Sequence, residues 1–379
     1  MSEPESDAGG ETITTYELLE RSARAALDLQ REDGSFPPGR NGVYDEPETP
    51  VRTTSHWLTT LSKMYEITDD EVFAEAANDA ADYLLSDKAR PYGYTFHSRK
   101  AEGKDKCDGL VGQAAPIRGL ARASSALERP KLLEEAGDVF SLHPFDSSLG
   151  LWRRVEIDGT PLSFDRTFNH QLTFAASGAN LSDQGIETDR IERFLDRLTD
   201  TMSQHTDGLI KHYVRPPPLD VLRTVINSPT HWNLLLNEFV FHYYSWSSKR
   251  RTKELGYHPI NLRSLARLKE SFPYHSVWET PLIRNAVSLV DSDLYSGPEG
   301  VREISYGSMT PGMHTAYALF VLGDRDLAEV REWIVRDIEQ RFDFDQNLLV
   351  ANATDPLFQA ATIYNAILLP NVSMTLNRH

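Results

Sequence analysis

The sequence predicts an all-α fold, an (α/α)6 toroid in which six inner helices are sheathed by six outer ones. Three observations predict it: six helix-start signals, an alternation of apolar with amphipathic helices, and short β-like pieces before the apolar ones. The starts lie near residues 50, 109, 166, 229, 311 and 356. Four of them place Pro at the first helical position behind a capping residue: Thr49-Pro50, Ser228-Pro229, Thr310-Pro311 and Asp355-Pro356. Proline there forgoes an N–H that would have no intrahelical partner anyway. Asp108-Gly109 opens a fifth, and Asp165 or Thr167 the sixth.

The helices that follow are rich in Ala, Leu, Phe and Tyr and poor in charge, as expected of helices buried on all sides. Between them fall six stretches with one charged and one apolar face, near 14–30, 70–85, 131–141, 187–204, 276–290 and 325–341. These are expected to face solvent. Tyr92–Phe96, Leu151–Val155 with its Asp158-Gly159 turn, and Leu209–Tyr213 read as β-like pieces on one face of the ring. Residues 1–12 are acidic and without periodicity and read as a disordered tail, leaving 13–379 as one toroid. The stretch near 247–274, basic at Lys249-Arg250-Arg251, reads as an insertion, either a lid, a partner contact or plain surface.

Composition narrows the function classes. The 379 residues carry 56 Asp and Glu against 39 Lys and Arg, a formal charge of -17 that repels nucleic-acid phosphate and anionic lipid. With only 10 Lys among those cations, the excess of scattered carboxylate suits a surface adapted to high salt. No membrane-length apolar run and no signal-peptide pattern is found, so a soluble, cytoplasmic protein is expected. The single Cys107 excludes an internal disulfide framework and a Cys-rich zinc site. There is no glycine-rich phosphate loop, no G-x-S-x-G elbow and no H-E-x-x-H helix, and no motif calls for a cofactor or a metal.

In such a ring the inner helices run the same way, so their N-termini converge on one mouth of a central cavity. The first turns carry His56 and Trp57, Asp108 and Gln113, Asn169, His170 and Gln171, His231 and Trp232, His314, and Gln359. The preceding loops add Trp152, Arg153, Tyr213, Arg302 and Tyr306. Aromatic faces beside amides, histidines and arginines form a lining suited to a saccharide, which stacks on rings and presents many hydroxyls. Arg153 or Arg302 is placed to hold a carboxylate bidentately, which would select a uronic acid. Histidines at the positive end of a helix dipole are held neutral and ready to accept a proton. Each residue also has a plainer use: helix capping for Asp108 and Asp355, core packing for Trp57, Trp152 and Trp232, and a structural hydrogen bond for any single histidine.

On these residues the chain resembles the six-hairpin toroid carbohydrate enzymes, which include unsaturated glucuronyl hydrolases, sugar 2-epimerases and uronate lyases. The resemblance to the hydrolases implies Asp108 as acid and base. Phe168-Asn169-His170-Gln171 is similar to the Asn-His pair of the toroidal lyases, which implies Asn169 as carboxylate neutraliser and His170 as base, with Tyr213 or Tyr306 as proton donor. Fold, acidity and expected compartment together also resemble haloarchaeal proteins that assemble the N-linked glycans of surface-layer proteins. The expected activity is acid-base chemistry on a hexuronic-acid-containing saccharide, by hydrolysis or epimerisation, with lyase elimination next. The alternative from another class is a non-catalytic saccharide-binding toroid. A lipid-binding toroid is disfavoured by the polar helix starts.

Overall fold

The computed structural model describes residues 11–227, 232, 234–235, 248–296 and 310–376. A ring of helices closes on itself, each inner helix packing against the next: α2 (Val51–Thr68), α4 (Val111–Ala126), α6 (Phe168–Ser182), α9 (Ser248–Ser271), α11 (Pro311–Val321), and last α13 (Pro356–Ala361) with the 3-10 helix Thr362–Leu368, which returns to α2. Outside it lie α1 (Thr15–Leu27), α3 (Glu71–Leu85), α5 (Pro130–Ser141), α7 (Thr188–Thr201), α10 (Pro281–Ser288) and α12 (Leu327–Arg341). A further helix, α8 (Pro218–Asn227), follows α7. The fold is the expected (α/α)6 toroid.

The inner helices are buried on nearly every face because little in them is charged. In α2 every residue from Val51 to Ser62 is buried, Trp57 among them against Phe36. The outer helices expose one charged face. In α7, Ile191, Phe194, Leu195 and Leu198 are buried while the charged positions between them face outward. Asp355 caps as expected, accepting from Phe358 N at 3.3 Å ahead of Pro356, whereas Thr310 holds the N-cap position before Pro311 without a side-chain cap bond, and Pro50 is itself the N-cap residue of α2 and not its first helical residue. Asp108 does not cap: α4 has Leu110 at that position, and Asp108 holds a left-handed φ of +56° that side-chain-bearing residues rarely adopt.

The stretch expected as an insertion near 247–274 is instead an inner-ring helix. Helix α9 packs between α6 and α11 and completes the ring. Its charges disguise it, because several of them face the ring interior rather than water. The inner-helix start expected near 229, with His231, lies outside the described residues.

Of the β-like pieces, one is a sheet. β2 (Phe145–Asp146), β3 (Leu151–Val155) and β4 (Pro161–Phe164) form an antiparallel meander in which Arg153 pairs with Phe164. Leu209–Tyr213 contributes only isolated bridges, Ile210 to Gln204 and Tyr213 to Thr167, and Tyr92–Phe96 is a turn and loop. Glu11 and Thr12, expected in the tail, open β1 (Glu11–Thr14), which pairs antiparallel with β5 (Ser373–Leu376). Among the described residues no helix is long and apolar enough to cross a membrane.

Candidate active site

A cavity of about 250 Å³ opens where the inner helices converge. Of the residues expected there, His56, Asp108, Asn169, His170 and His314 line it. They come from α2, the turn before α4, the first turn of α6 and the first turn of α11.

His170 has the geometry of a base. Its Nδ1 lies 3.0 Å from Asp165 Oδ2, and a carboxylate can only accept, so Nδ1 carries a proton and the lone pair of the neutral ring is the one on Nε2. Asp165 is buried, and although burial opposes ionisation, the facing His170 and the Thr167 backbone N–H hold its carboxyl down to about 2. The ring is therefore held by an ionised partner.

His56 is fixed in the opposite sense. Arg118 donates to its Nδ1 at 3.0 Å, so that nitrogen must be unprotonated and the ring neutral. Burial, with Arg118 and Arg52 nearby, takes its pKa well below the usual value. The ring stacks on Tyr364 with centroids 4.3 Å apart. His314 is also held neutral, by burial and by Arg263. The buried Asn169 Oδ1 has no hydrogen-bond partner among the described residues.

Asp108 sits inside an ion network. Arg52 bonds its Oδ2, and Arg99 Nη1 lies 2.9 Å from its Oδ1, so both oxygens are engaged. Arg52 also meets Glu48 at 2.9 Å, while Arg99 reaches Asp105 at 2.9 Å. Glu48 is 3% exposed, and burial, only partly offset by Arg52, pushes its carboxyl up to about 7. A carboxyl with a pKa raised by folding binds more protons in the folded state. It supports the fold below the ordinary 4.5 and withdraws that support as pH rises towards 7. The size is about 3 kcal/mol at most. Glu48→Gln is therefore expected to flatten the decline in unfolding free energy across that interval, measured by denaturant titration at several pH values. An unchanged slope in the variant would assign the decline elsewhere.

The remaining expected residues have structural work. Gln113 Nε2 donates to Phe96 O at 2.9 Å and Cys107 O at 2.7 Å, and its Oε1 accepts from Phe96 N at 2.8 Å. Gln171 repeats the arrangement with Trp152 and Asp165: 2.9 Å to Trp152 O, 2.7 Å to Asp165 O and 2.9 Å from Trp152 N. Each glutamine staples the incoming loop to its inner helix, so neither is free for substrate. Gln359 likewise donates to Ala351 O at 3.0 Å. Trp57 and Trp152 are fully buried, Trp152 among Phe140, Phe174 and Phe194, and neither offers a platform. Trp232 is 54% exposed and does not line the cavity. Arg153 lies on β3, donating to Leu162 O at 3.0 Å, and Tyr213 carries Arg250 over its ring at 4.4 Å; both are outside the cavity wall. His231, Arg302 and Tyr306 lie outside the described residues.

The lining also holds groups that were not selected from the sequence. Arg52, Arg118 and Arg263 enter from α2, α4 and α9, Arg99 and Lys104 from the loop before α4, and Tyr257 and Tyr364 supply aromatic faces. Arg118 and Arg263 lie well along their helices, where charge in an otherwise apolar inner face was the available signal. Among the described residues no group of three or more His, Cys, Asp or Glu is placed to hold a metal ion.

The ring and its cavity define a six-hairpin toroid, and solved structures bear this out at low sequence identity. Cellobiose 2-epimerase from Bacillus thermoamylovorans is similar with a TM-score of 0.62 at 10% identity, covering 93% of this chain and 98% of that one. A D-mannose isomerase has a TM-score of 0.61 at 13% identity over 97% and 99%. An unsaturated glucuronyl hydrolase specific for heparin has 0.57 at 11% over 93% and 94%. No protein-family profile matches the sequence. Archaeal glycosylation protein Q from Haloferax volcanii is 41% identical over 367 residues, 95% of this chain and 99% of that protein. The chain belongs to the family of archaeal glycosylation protein Q.

Proposed function

We propose that the protein is a carbohydrate-active enzyme that acts on a hexuronic-acid-containing saccharide by proton transfer at carbon, as an epimerase or isomerase, in archaeal glycosylation. The observation that carries this reading is His170, its Nδ1 bound to the buried Asp165 and its ring in a cavity shared with three further histidines, His56, His212 and His314, and several arginines. His170 Nε2 takes the proton from the carbon next to the carboxylate. Guanidinium groups hold the charge that moves onto the carboxylate oxygens, and a donor on the other side of the cavity returns a proton. Tyr213 is not placed for that second role, because the cavity does not reach it. The name of the Haloferax relative supports the glycosylation setting, and the sugar epimerase and isomerase among the structural neighbours support the choice of epimerisation or isomerisation.

Hydrolysis through Asp108 is the second reading, favoured by its place in the wall. Both of its oxygens are bound by guanidinium groups, which leaves it less suited to give and take a proton. The test is incubation of the protein at high salt with uronate oligosaccharides and with free and nucleotide-linked hexuronic acids, in deuterated water. A sugar isomer of unchanged composition carrying one solvent deuterium is the expected product. Hydrolysed fragments would favour Asp108, and a rise in the ultraviolet absorbance of unsaturated uronate would mean elimination. Binding without any product would leave a non-catalytic saccharide-binding toroid.

A further inference from the structure

Three of the six Lys and Arg side chains in the cavity wall are neutralised where they stand, and a fourth, Lys253, lies against the rings of Tyr44 and Tyr257. Arg52 meets Glu48 and Asp108, Arg99 meets Asp105 and Asp108, and Lys104 meets Glu46. Arg118 and Arg263 differ. They are 8% and 6% exposed, and among the described residues neither has a carboxylate partner. Arg118 donates to the neutral His56, and both guanidinium groups lie over one ring, Tyr364, with Cζ at 4.2 Å and 5.1 Å from its centroid. The Nε of each arginine is buried without a hydrogen-bond partner. Two buried like charges without a counter-ion are costly, and each raises the cost of the other.

The surroundings record that field. Burial, together with Arg263, takes the Arg118 guanidinium down to about 10. Burial alone would raise the Tyr364 phenol, yet Arg118, Arg263 and Arg52 outweigh it and bring its pKa below the ordinary value. The site favours negative charge, and a phenol is a weak source of it.

We propose that Arg118 and Arg263 are the seat of the substrate's anionic group, gripping a sugar carboxylate between α4 and α9 over the Tyr364 ring. This deepens the proposed function and rests on that reading for the sugar. It replaces Arg153 and Arg302, one outside the cavity wall and the other outside the described residues, as the carboxylate holder. Forked guanidinium groups from two helices match the two oxygens of a carboxylate better than a neutral hydroxymethyl group, and the exchange of an uncompensated pair for a compensated one supplies the preference.

The test is calorimetric titration of the full-length protein, at constant high potassium chloride, with glucuronate, its methyl ester and glucose, alongside titration with acetate. Wild type is expected to bind glucuronate at least about tenfold tighter than the ester or glucose. Arg263→Gln and Arg118→Gln bring the ratio close to one, and Arg263→Lys, which keeps the charge without the fork, retains part of it and serves if a Gln variant does not fold. Ligand-free Arg263→Gln is expected to unfold at an unchanged or higher temperature, since it removes an uncompensated buried charge. Equal binding of acid and ester by wild type, or an undiminished preference in both Gln variants, overturns the seat while leaving the saccharide reading. Binding of acetate that depends on these arginines, with no sugar bound, overturns the saccharide reading and leaves the seat. Binding of neither overturns both.

Discussion

His170→Ala is expected to lower kcat/KM by about 10²–10⁴-fold, the range a positioned general base supplies, with little change in unfolding temperature. The side chain is 27% exposed and its one recorded bond is to Asp165, so its loss leaves no packed void. Asp165→Asn is the sharper companion. An amide N–H facing Nδ1 would turn the imidazole to the other tautomer, place the proton on Nε2 and block the base while His170 remains in place. Both variants are to be measured on the sugar that the wild type converts, with exchange of solvent deuterium into substrate as a second readout. Turnover within about twofold of wild type in His170→Ala would remove this residue from the chemistry, since a general base contributes far more than that.

The largest expected loss of stability comes from the far side of the ring, at Asp337. This residue of the outer helix α12 is fully buried, with Oδ2 accepting from Met313 N at 3.1 Å in the first turn of α11 and Oδ1 held by Arg341 at 2.6 Å. One carboxylate thus ties an outer helix to the open N–H groups of its inner neighbour and balances a buried cation. Gly312 permits the approach: a Cβ there would come within 2.4 Å of Trp333 O and 2.6 Å of Asp337 Cβ. Asp337→Ala is expected to cost about 3–5 kcal/mol, because it removes the carboxylate facing a buried guanidinium and the acceptor of a buried N–H together. Denaturant unfolding measures it. A cost below about 1 kcal/mol would mean that the contact is worth no more than an exposed ion pair.

The architecture was legible because capping and periodicity are local. Thr310-Pro311 and Asp355-Pro356 mark helix starts by what their own backbone can do, and no distant contact is needed to read them. Helix α9 was hidden for the opposite reason. Lys253 and Arg263 look like solvated charges in a one-dimensional reading, and only the closed ring turns them inward to the cavity. His56, His170 and His314 were found because the mouth of the ring lies near the helix starts, while His212, in the loop that bridges to Thr167, was passed over. Arg118 and Arg263 were missed because they stand beyond those starts, and Arg153 was chosen because it stands in a loop before one. Gln113 and Gln171 show the reverse error. Amides at a helix start look like ligands for hydroxyls, yet here the loop's own backbone claims them first, as an obligation that arises only once loop and helix meet.

The pairing of β1 with β5 joins Glu11 to Leu376 and Thr14 to Ser373, residues from opposite ends of the described chain. An open array of helix pairs gains stability one unit at a time and can fray from either end. A clasp between its first and last elements removes those free ends, so loss of any one pair strains the neighbours on both sides and the ring yields as a whole. Its assembly must wait for contacts between remote stretches of chain, a slow closure by the logic of loop entropy. What the clasp gives in return is a cavity whose opposing walls hold a fixed separation, and acid-base transfer across a bound ligand depends on such constancy.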